Sequence, residues 1–282
     1  MVPKFCRIAV LVDDMASFTA EVDRLLGTTF MVPALIEQLY PDAGFKVMFG
    51  EHGLEPIEAG PEGIGFAKDG RLIEVAVDVD DAEAVRARLE AAGYHHVADS
   101  YLPVPDTHEY LFGRDFHGVP FLVCTAGDNE KQMRSQGPFE YLEDAPPPKI
   151  GRVTLVVDDA AALAADLEAF MGMRFVETEP AGFGRRTFGG THRVRLIEGP
   201  SALLEGVERP LASIDFTVED IEDVRRRFED AGYPVLQTIP LLSGGNGYYF
   251  GKTVQGMPVS LYPIAADAEL REPRRISEPA AA

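Results

Sequence analysis

The chain has 282 residues, 46% hydrophobic and 26% charged, a composition that excludes disorder and predicts about two domains, each able to bury a core. Its formal net charge of −20 repels phosphate backbones and anionic headgroups, which excludes nucleic acid and membrane surfaces as partners. Two cysteines, Cys6 and Cys124, are too few for a disulfide framework or for a structural zinc site built on cysteines, and a reduced, cytoplasmic protein is expected.

In chain order, the run 8–12 of IAVLVDDM (8–15) reads as a strand and stops at Asp13-Asp14, too short for a membrane span or a signal core. Met15, Phe18, Val22 and Leu25 then form one apolar stripe at helical spacing, closed by Gly27. Strand-like runs follow at 46–49 and 54–58. EVAVDVDDAE (74–83) starts the pattern again: Val85, Leu89 and Ala92 make the stripe, Gly93 closes it, and strands are predicted at 110–112 and 121–125. The polar stretch 126–149 contains EDAPPPK, and its prolines predict an extended linker. VTLVVDDAA (153–161) is the third copy, with Leu163, Leu167, Phe170 and Gly172 and strand runs at 185–188 and 193–198. IDFTVEDIED (214–223) is the fourth, with Ile221, Val224, Phe228 and Gly232 and runs at 248–250 and 259–262. From about 265 the chain is polar and rich in alanine and proline, which predicts a flexible tail.

From the second acidic residue of each pair to the closing glycine the counts are 13, 12, 13 and 12. The acidic pairs look like catalytic dyads, but four copies at four helix starts favour another role. An aspartate there accepts hydrogen bonds from the free amides and faces the positive end of the helix dipole. A left-handed glycine ends such a helix at least cost. The unit is therefore strand, helix, three strands. The four units pair into two larger copies, since YLFGRDFHGVPF (110–121) matches YYFGKTVQGMPV (248–259). The predicted fold is α+β: tandem βαβββ modules in two domains, 1–125 and 150–264, each a curled mixed sheet around a cleft, joined by a linker at 126–149 and ended by a tail at 265–282.

A doubled unit with this acidic punctuation resembles the vicinal oxygen chelate superfamily, which includes glyoxalase I, bleomycin- and fosfomycin-resistance proteins and extradiol dioxygenases. The resemblance covers residues 4–263, and the turn FGKTVQGMP (250–258) sits where extradiol enzymes have their closing hairpin. It implies metal ligands on three strands of each domain. Carried over position by position, these fall on Arg7, Glu74 and Leu122, and on Arg152, Ser213 and Ser260. One carboxylate in six positions is no metal site, and arginine cannot ligate a cation. The acid–base histidine of the ring-cleaving group falls near Leu241, and its hydroxyl position on Phe250. No metal and no other cofactor is expected.

Strand alternation aims Arg7 and Arg152 into the clefts. Each is either an oxyanion holder or half of an internal ion pair, Arg7 with Glu74 and Arg152 with Asp215. Asp215, His192 and Tyr248 are candidate proton carriers beside Arg152. Ser213, Ser260, Phe250 and Tyr262, with Tyr249 and Phe183, suggest an aromatic cleft with a few polar groups, suited to a flat ligand. His108 beside Glu109 is a candidate acid–base pair in the first domain. His52 and His192 occupy equivalent positions, as do Glu58 and Glu198; His95, His96 and His117 read as surface residues. The loop 243–247 is a candidate lid.

Three functions remain, beside a purely structural duplicated domain. The first is a metal-independent lyase, isomerase or ring-opening enzyme acting on a small aromatic or enolisable anion. The second is a small-molecule-sequestering protein of the drug-resistance type. The third is an extradiol-like dioxygenase with atypical ligands such as Glu74, His52 and His108. The expected partner is a small-molecule substrate or ligand, with a homodimer possible.

Overall fold

The computed structural model describes residues 3–31, 44–50, 52–59, 71–102, 106–128, 131, 146–178, 186–199 and 209–271. Most of the predicted linker, Phe183 and the end of the chain from 272 lie outside the described residues.

The first half runs β1 (Lys4–Val12), α1 (Met15–Leu26), β2 (Phe30–Met31), β3 (Phe45–Val47), β4 (Phe49–Gly50), β5 (Leu54–Ala59), β6 (Leu72–Val79), α2 (Ala82–Ala91), β7 (His96–Leu102), β8 (Thr107–Phe112) and β9 (Phe121–Thr125). The second repeats it: β10 (Lys149–Val157), α3 (Ala160–Met171), β11 (Phe175–Thr178), β12 (Thr187–Gly190), β13 (Val194–Glu198), β14 (Leu211–Val218), α4 (Ile221–Asp230), β15 (Val235–Pro240), β16 (Asn246–Phe250) and β17 (Val259–Pro263). The first half's sheet has seven strands in the order β3-β5-β1-β6-β9-β8-β7, and the second eight, β11-β12-β13-β10-β14-β17-β16-β15. In each, an antiparallel central pair (β1·β6, β10·β14) is flanked by parallel partners (β5 and β9, β13 and β17). These are two curled mixed half-barrels, α+β as the repeat predicts.

The acidic pairs are helix starts. Asp14, Asp81, Asp159 and Asp220 accept the amides of Ser17, Ala84, Ala162 and Asp223 at 2.6–2.9 Å. Gly27 and Gly172 close α1 and α3 at φ 74° and 75°, a conformation that favours glycine. A tyrosine brace recurs at equivalent places. Tyr110 donates to Glu83 under the guanidinium of Arg86, 5.1 Å from the ring; Tyr248 donates to Glu222 at 2.5 Å under Arg225, at 5.5 Å.

Alternate residues of each strand face the helices: Ile8, Val10 and Val12 on β1, Val153, Leu155 and Val157 on β10. These faces and the helices of both halves form one continuous core, with α1 against α4 and α2 against α3. Phe170 of α3 packs edge-on against Tyr94 and Phe116, Arg88 donates to the Phe170 carbonyl at 2.6 Å, and His117 meets Asp166 at 2.7 Å. His117, read as a surface residue, thus bridges the halves.

Where the sequence predicts a tail, the chain continues as a single 3-10 turn (Ile264–Ala266) and a short helix α5 (Asp267–Arg271). Leu270 is buried with Tyr249, Tyr262, Ile239 and Ile197 on the concave side of the second sheet. Asp267 sits 3.2 Å from Arg193 and 3.7 Å from Lys149 and also pairs with Arg271. Glu269 accepts the amides of Leu242 and Ser243 at 3.1 and 3.0 Å. The candidate lid is therefore tied to α5, and together they cover part of the half-barrel. No described helix is long and apolar enough to cross a membrane.

Candidate functional site

The residues that face away from the helices line the two concave surfaces. A β-bulge precedes Arg7 on β1 and another precedes Arg152 on β10, so both arginines project inward from the same point of the repeat. Arg7 lies opposite Ala76, and Arg152 opposite Asp215. On the next strand, Glu55 of β5 pairs with Ala9, and Arg195 of β13 pairs with Thr154, again equivalent positions. The two interiors therefore share a geometry and carry different charges.

In the first half-barrel three carboxylates close on one guanidinium. Arg7 meets Glu55 at 2.8 Å, Glu74 at 3.4 Å and, through both terminal nitrogens, Glu109 at 2.9 and 3.1 Å. All four side chains are buried. Burial opposes the charge on Arg7, but Glu109 and Glu55 outweigh it and hold the guanidinium well above its usual range. One cation cannot hold three carboxylates ionised away from water. Burial, only partly offset by Arg7, pushes Glu74 up to about 8 and Glu55 up to about 7. In the unfolded chain Glu74 loses its proton near 4.5, whereas the folded protein keeps it toward 8. Stability is therefore lost as pH rises through that window. Glu74→Gln, which imitates the protonated form, should match the parent near pH 5 and exceed it by about 2–3 kcal/mol at pH 8.5 in urea unfolding.

In the second half-barrel the balance reverses: two guanidiniums share one carboxylate. Arg152 donates to Asp215 at 2.8 Å, Arg195 lies 3.8 Å from the same oxygen, and Arg195 donates to Thr154 at 3.1 Å. Ser213 donates to the other oxygen of Asp215 at 2.7 Å and meets the Ser260 hydroxyl at 2.7 Å. The Tyr262 hydroxyl is 3.4 Å from Arg152, whose charge also lies 5.6 Å from the ring. Asp215, Ser213 and Ser260 are almost wholly buried, whereas the Arg152 side chain keeps 13% of its exposure and is the member that reaches outward. Burial, opposed by Asp215, lowers Arg195, with Arg152 adding repulsion. Burial and then the negative charge of Asp215 raise Tyr262 and push Tyr249 up to about 12, so both phenols keep their protons.

Arg152, Asp215, Ser213, Ser260 and Tyr262 thus come together, as do Arg7 and Glu74. The other sequence-predicted residues lie elsewhere. Tyr248 belongs to its brace on the helix side, and Phe250 stacks on Phe228 of α4 at 4.4 Å, because strand alternation gives the concave face to Tyr249 instead. His192 accepts the Arg174 amide at 3.0 Å beside Phe175, and burial lowers it to about 4. Its equivalent His52 lies edge-on between Phe30 and Phe216 on the helix side, lowered by burial to about 3. His108 and Glu109 are neighbours on one strand and point to opposite faces: His108 is exposed and bonded to Asp99 at 2.7 Å, while Glu109 is under Arg7. Glu74, His52 and His108 therefore do not converge on a metal. Glu58 accepts the Met15 amide at 2.7 Å and serves the start of α1. Sequence reasoning missed Glu55 and Arg195, and paired Glu109 with His108 instead of Arg7. Counting back three residues from the matched Glu58 and Glu198 would have found Glu55 and Arg195, opposite charges at one repeat position.

The sequence profile of the Glyoxalase/Bleomycin resistance protein/Dioxygenase superfamily matches residues 149–261. The match covers the second repeat, 113 of the 282 residues, and marks that half as similar to this vicinal oxygen chelate superfamily. No curated protein matches the sequence. Among solved structures, the Mn(II)-bound glyoxalase of Novosphingobium aromaticivorans is 16% identical, with a TM-score of 0.63 over 92% of this chain and 81% of that one. A variant of 4-hydroxymandelate synthase from Streptomyces coelicolor is 14% identical, with a TM-score of 0.64 over 93% of each chain. A 2,3-dioxygenase from Pseudomonas sp. KL28 is 13% identical, with a TM-score of 0.59 over 92% and 91%. At these identities the likeness is one of fold. The vicinal oxygen chelate profile falls on the second half, and the structural likeness extends the fold to both.

Proposed function

We propose that the second half-barrel of this protein is a site for a small organic anion, aromatic or enolisable, anchored by Arg152 without a metal. The observation that carries this reading is the sharing of Asp215 by Arg152 and Arg195. It gathers two guanidiniums in an interior walled by Tyr249 and Tyr262, with Arg152 as the member that reaches outward. A carboxylate, phenolate or enolate could accept charge-assisted hydrogen bonds from the outward side of Arg152. The donor set at the family's ligand positions does not fit a divalent ion: a guanidinium has no free lone pair, and Ser213 and Ser260 are bonded to each other and to Asp215. Catechol 2,3-dioxygenase and 4-hydroxymandelate synthase share the fold, and their names point to small oxygenated aromatics.

Binding without turnover is the better-supported form. His192 and Tyr248 lie away from Arg152, Tyr262 keeps its proton, and Asp215 is held by two guanidiniums and a serine. No described residue beside Arg152 is a free base. Titration of the full-length protein with benzoate, 4-hydroxybenzoate and catechol, read by calorimetry, tests this. One site should saturate with at least one of them, and Arg152→Ala should weaken it about 10–100-fold, the loss of one charge-assisted hydrogen bond. Arg152→Gln guards against collapse of the site. No binding by any of the three, or unchanged affinity in both variants, would falsify the proposal. Consumption of the ligand that Arg152→Ala abolishes would replace binding with oxyanion catalysis.

A further inference from the structure

We infer that Cys6, Asp78 and Cys124 form a zinc site inside the first half-barrel. Their ligand atoms, two thiol sulfurs and a carboxylate oxygen, all lie within 4.8 Å of one another. One point therefore lies within about 2.8 Å of all three, close to the 2.0–2.3 Å that zinc takes to oxygen and sulfur. The residues come from three strands, β1, β6 and β9, and Asp78 lies directly beside Cys124 in the ladder. The site is distinct from Arg7, Glu74 and Leu122: Asp78 and Cys124 lie four and two residues further along their strands.

Asp78 carries the argument. It is 1% exposed, and its oxygens have only the weakly aligned Cys6 thiol and Gly127 amide beside them among the described residues. Burial pushes it up to about 6; the Cys6 thiol, the Lys4 and Arg7 charges and the Gly127 amide pull back only in part. A buried carboxylate aimed at two thiols is costly as it stands and accounted for if the three share a cation. Cys6 and Cys124 are themselves 3% and 1% exposed; burial raises Cys6, the Cys6 hydrogen bond and then burial raise Cys124, and the charge of Arg7 only partly opposes this, so both rest as thiols until a metal displaces their protons. Two thiolates and a carboxylate select zinc over magnesium or calcium. Glu109, held by Arg7, lies 3.5 Å from the Cys124 sulfur. Binding displaces both thiol protons to solvent, so affinity rises with pH. Two cysteines exclude a cysteine-only zinc site, but that count does not reckon with the carboxylate between them.

The inference rests on the first half-barrel alone and stands whether or not the second binds an anion. The test uses the full-length reduced protein, loaded with Zn²⁺ during refolding, with Cd²⁺ as the spectroscopic probe. Expected are one equivalent of zinc by elemental analysis, a cadmium–thiolate charge-transfer band, and two protons released per metal. Cys6→Ser and Cys124→Ser should abolish the band. Asp78→Asn should weaken binding at least tenfold, with circular dichroism confirming that each variant is folded. A folded parent lacking both zinc and the band, a band that survives both cysteine variants, or a Cys6–Cys124 disulfide in freshly purified protein would each overturn it.

Discussion

Replacing Arg7 by methionine should destabilise the protein by about 3–5 kcal/mol at pH 8.5, because it leaves Glu55, Glu74 and Glu109 buried around an uncharged chain. Methionine fills much of the same volume, so the loss reports charge rather than a cavity. The sign of the pH dependence is fixed by the carboxylates. Without the guanidinium Glu55 and Glu74, already raised by burial, favour the protonated form more strongly, so the variant's deficit should shrink as pH falls toward 5. Arg7→Lys should fall between, since it keeps the charge and loses the two-pronged grip on Glu109. Urea unfolding followed by circular dichroism at both pH values checks this. A deficit below 1 kcal/mol, or one independent of pH, would remove the ion cluster from any account of stability.

The second large effect is expected at the chain's far end. Asp267→Ala removes the carboxylate shared by Arg193, Lys149 and Arg271, of which Arg193 and Lys149 are buried. Burial already lowers Lys149, and Asp267 is the main group that opposes it. Losing one partner of such a buried set should cost about 3 kcal/mol and release α5 from the sheet. The same change frees the Glu269 clamp on the 241–245 turn, since that clamp depends on α5 staying in place. Limited trypsin digestion should then trim the chain at Arg271 at least tenfold faster, with Leu270 no longer holding it down. Unchanged stability together with unchanged trimming would show that α5 docks through Leu270 alone.

What the sequence made legible follows the range of the forces involved. The helix starts and ends were readable because an aspartate cap and a closing glycine act within a single turn. The Arg7–Glu74 and Arg152–Asp215 pairs were within reach because alternation puts them on one face of adjacent strands. The choice between Tyr248 and Tyr249 was not, since it depends on the register of β16 against β17, where Tyr249 meets Ser260. His108 and Glu109 were mispaired for the same reason: neighbours on a strand point apart. The docked segment 264–271 looked like a tail because its anchors, Asp267 and Glu269, find partners 26 to 118 residues away, at Ser243 and Lys149.

The continuous core has a consequence for how the chain folds and how it is used. With α1 seated on α4 and α2 on α3, neither repeat contains all the surface it needs to hide. Each would expose a greasy flank if made alone, so the halves should be insoluble when expressed separately and recover when co-expressed. Calorimetry of the intact chain should show one melting peak, not two, marking the duplicated sequence as a single cooperative unit.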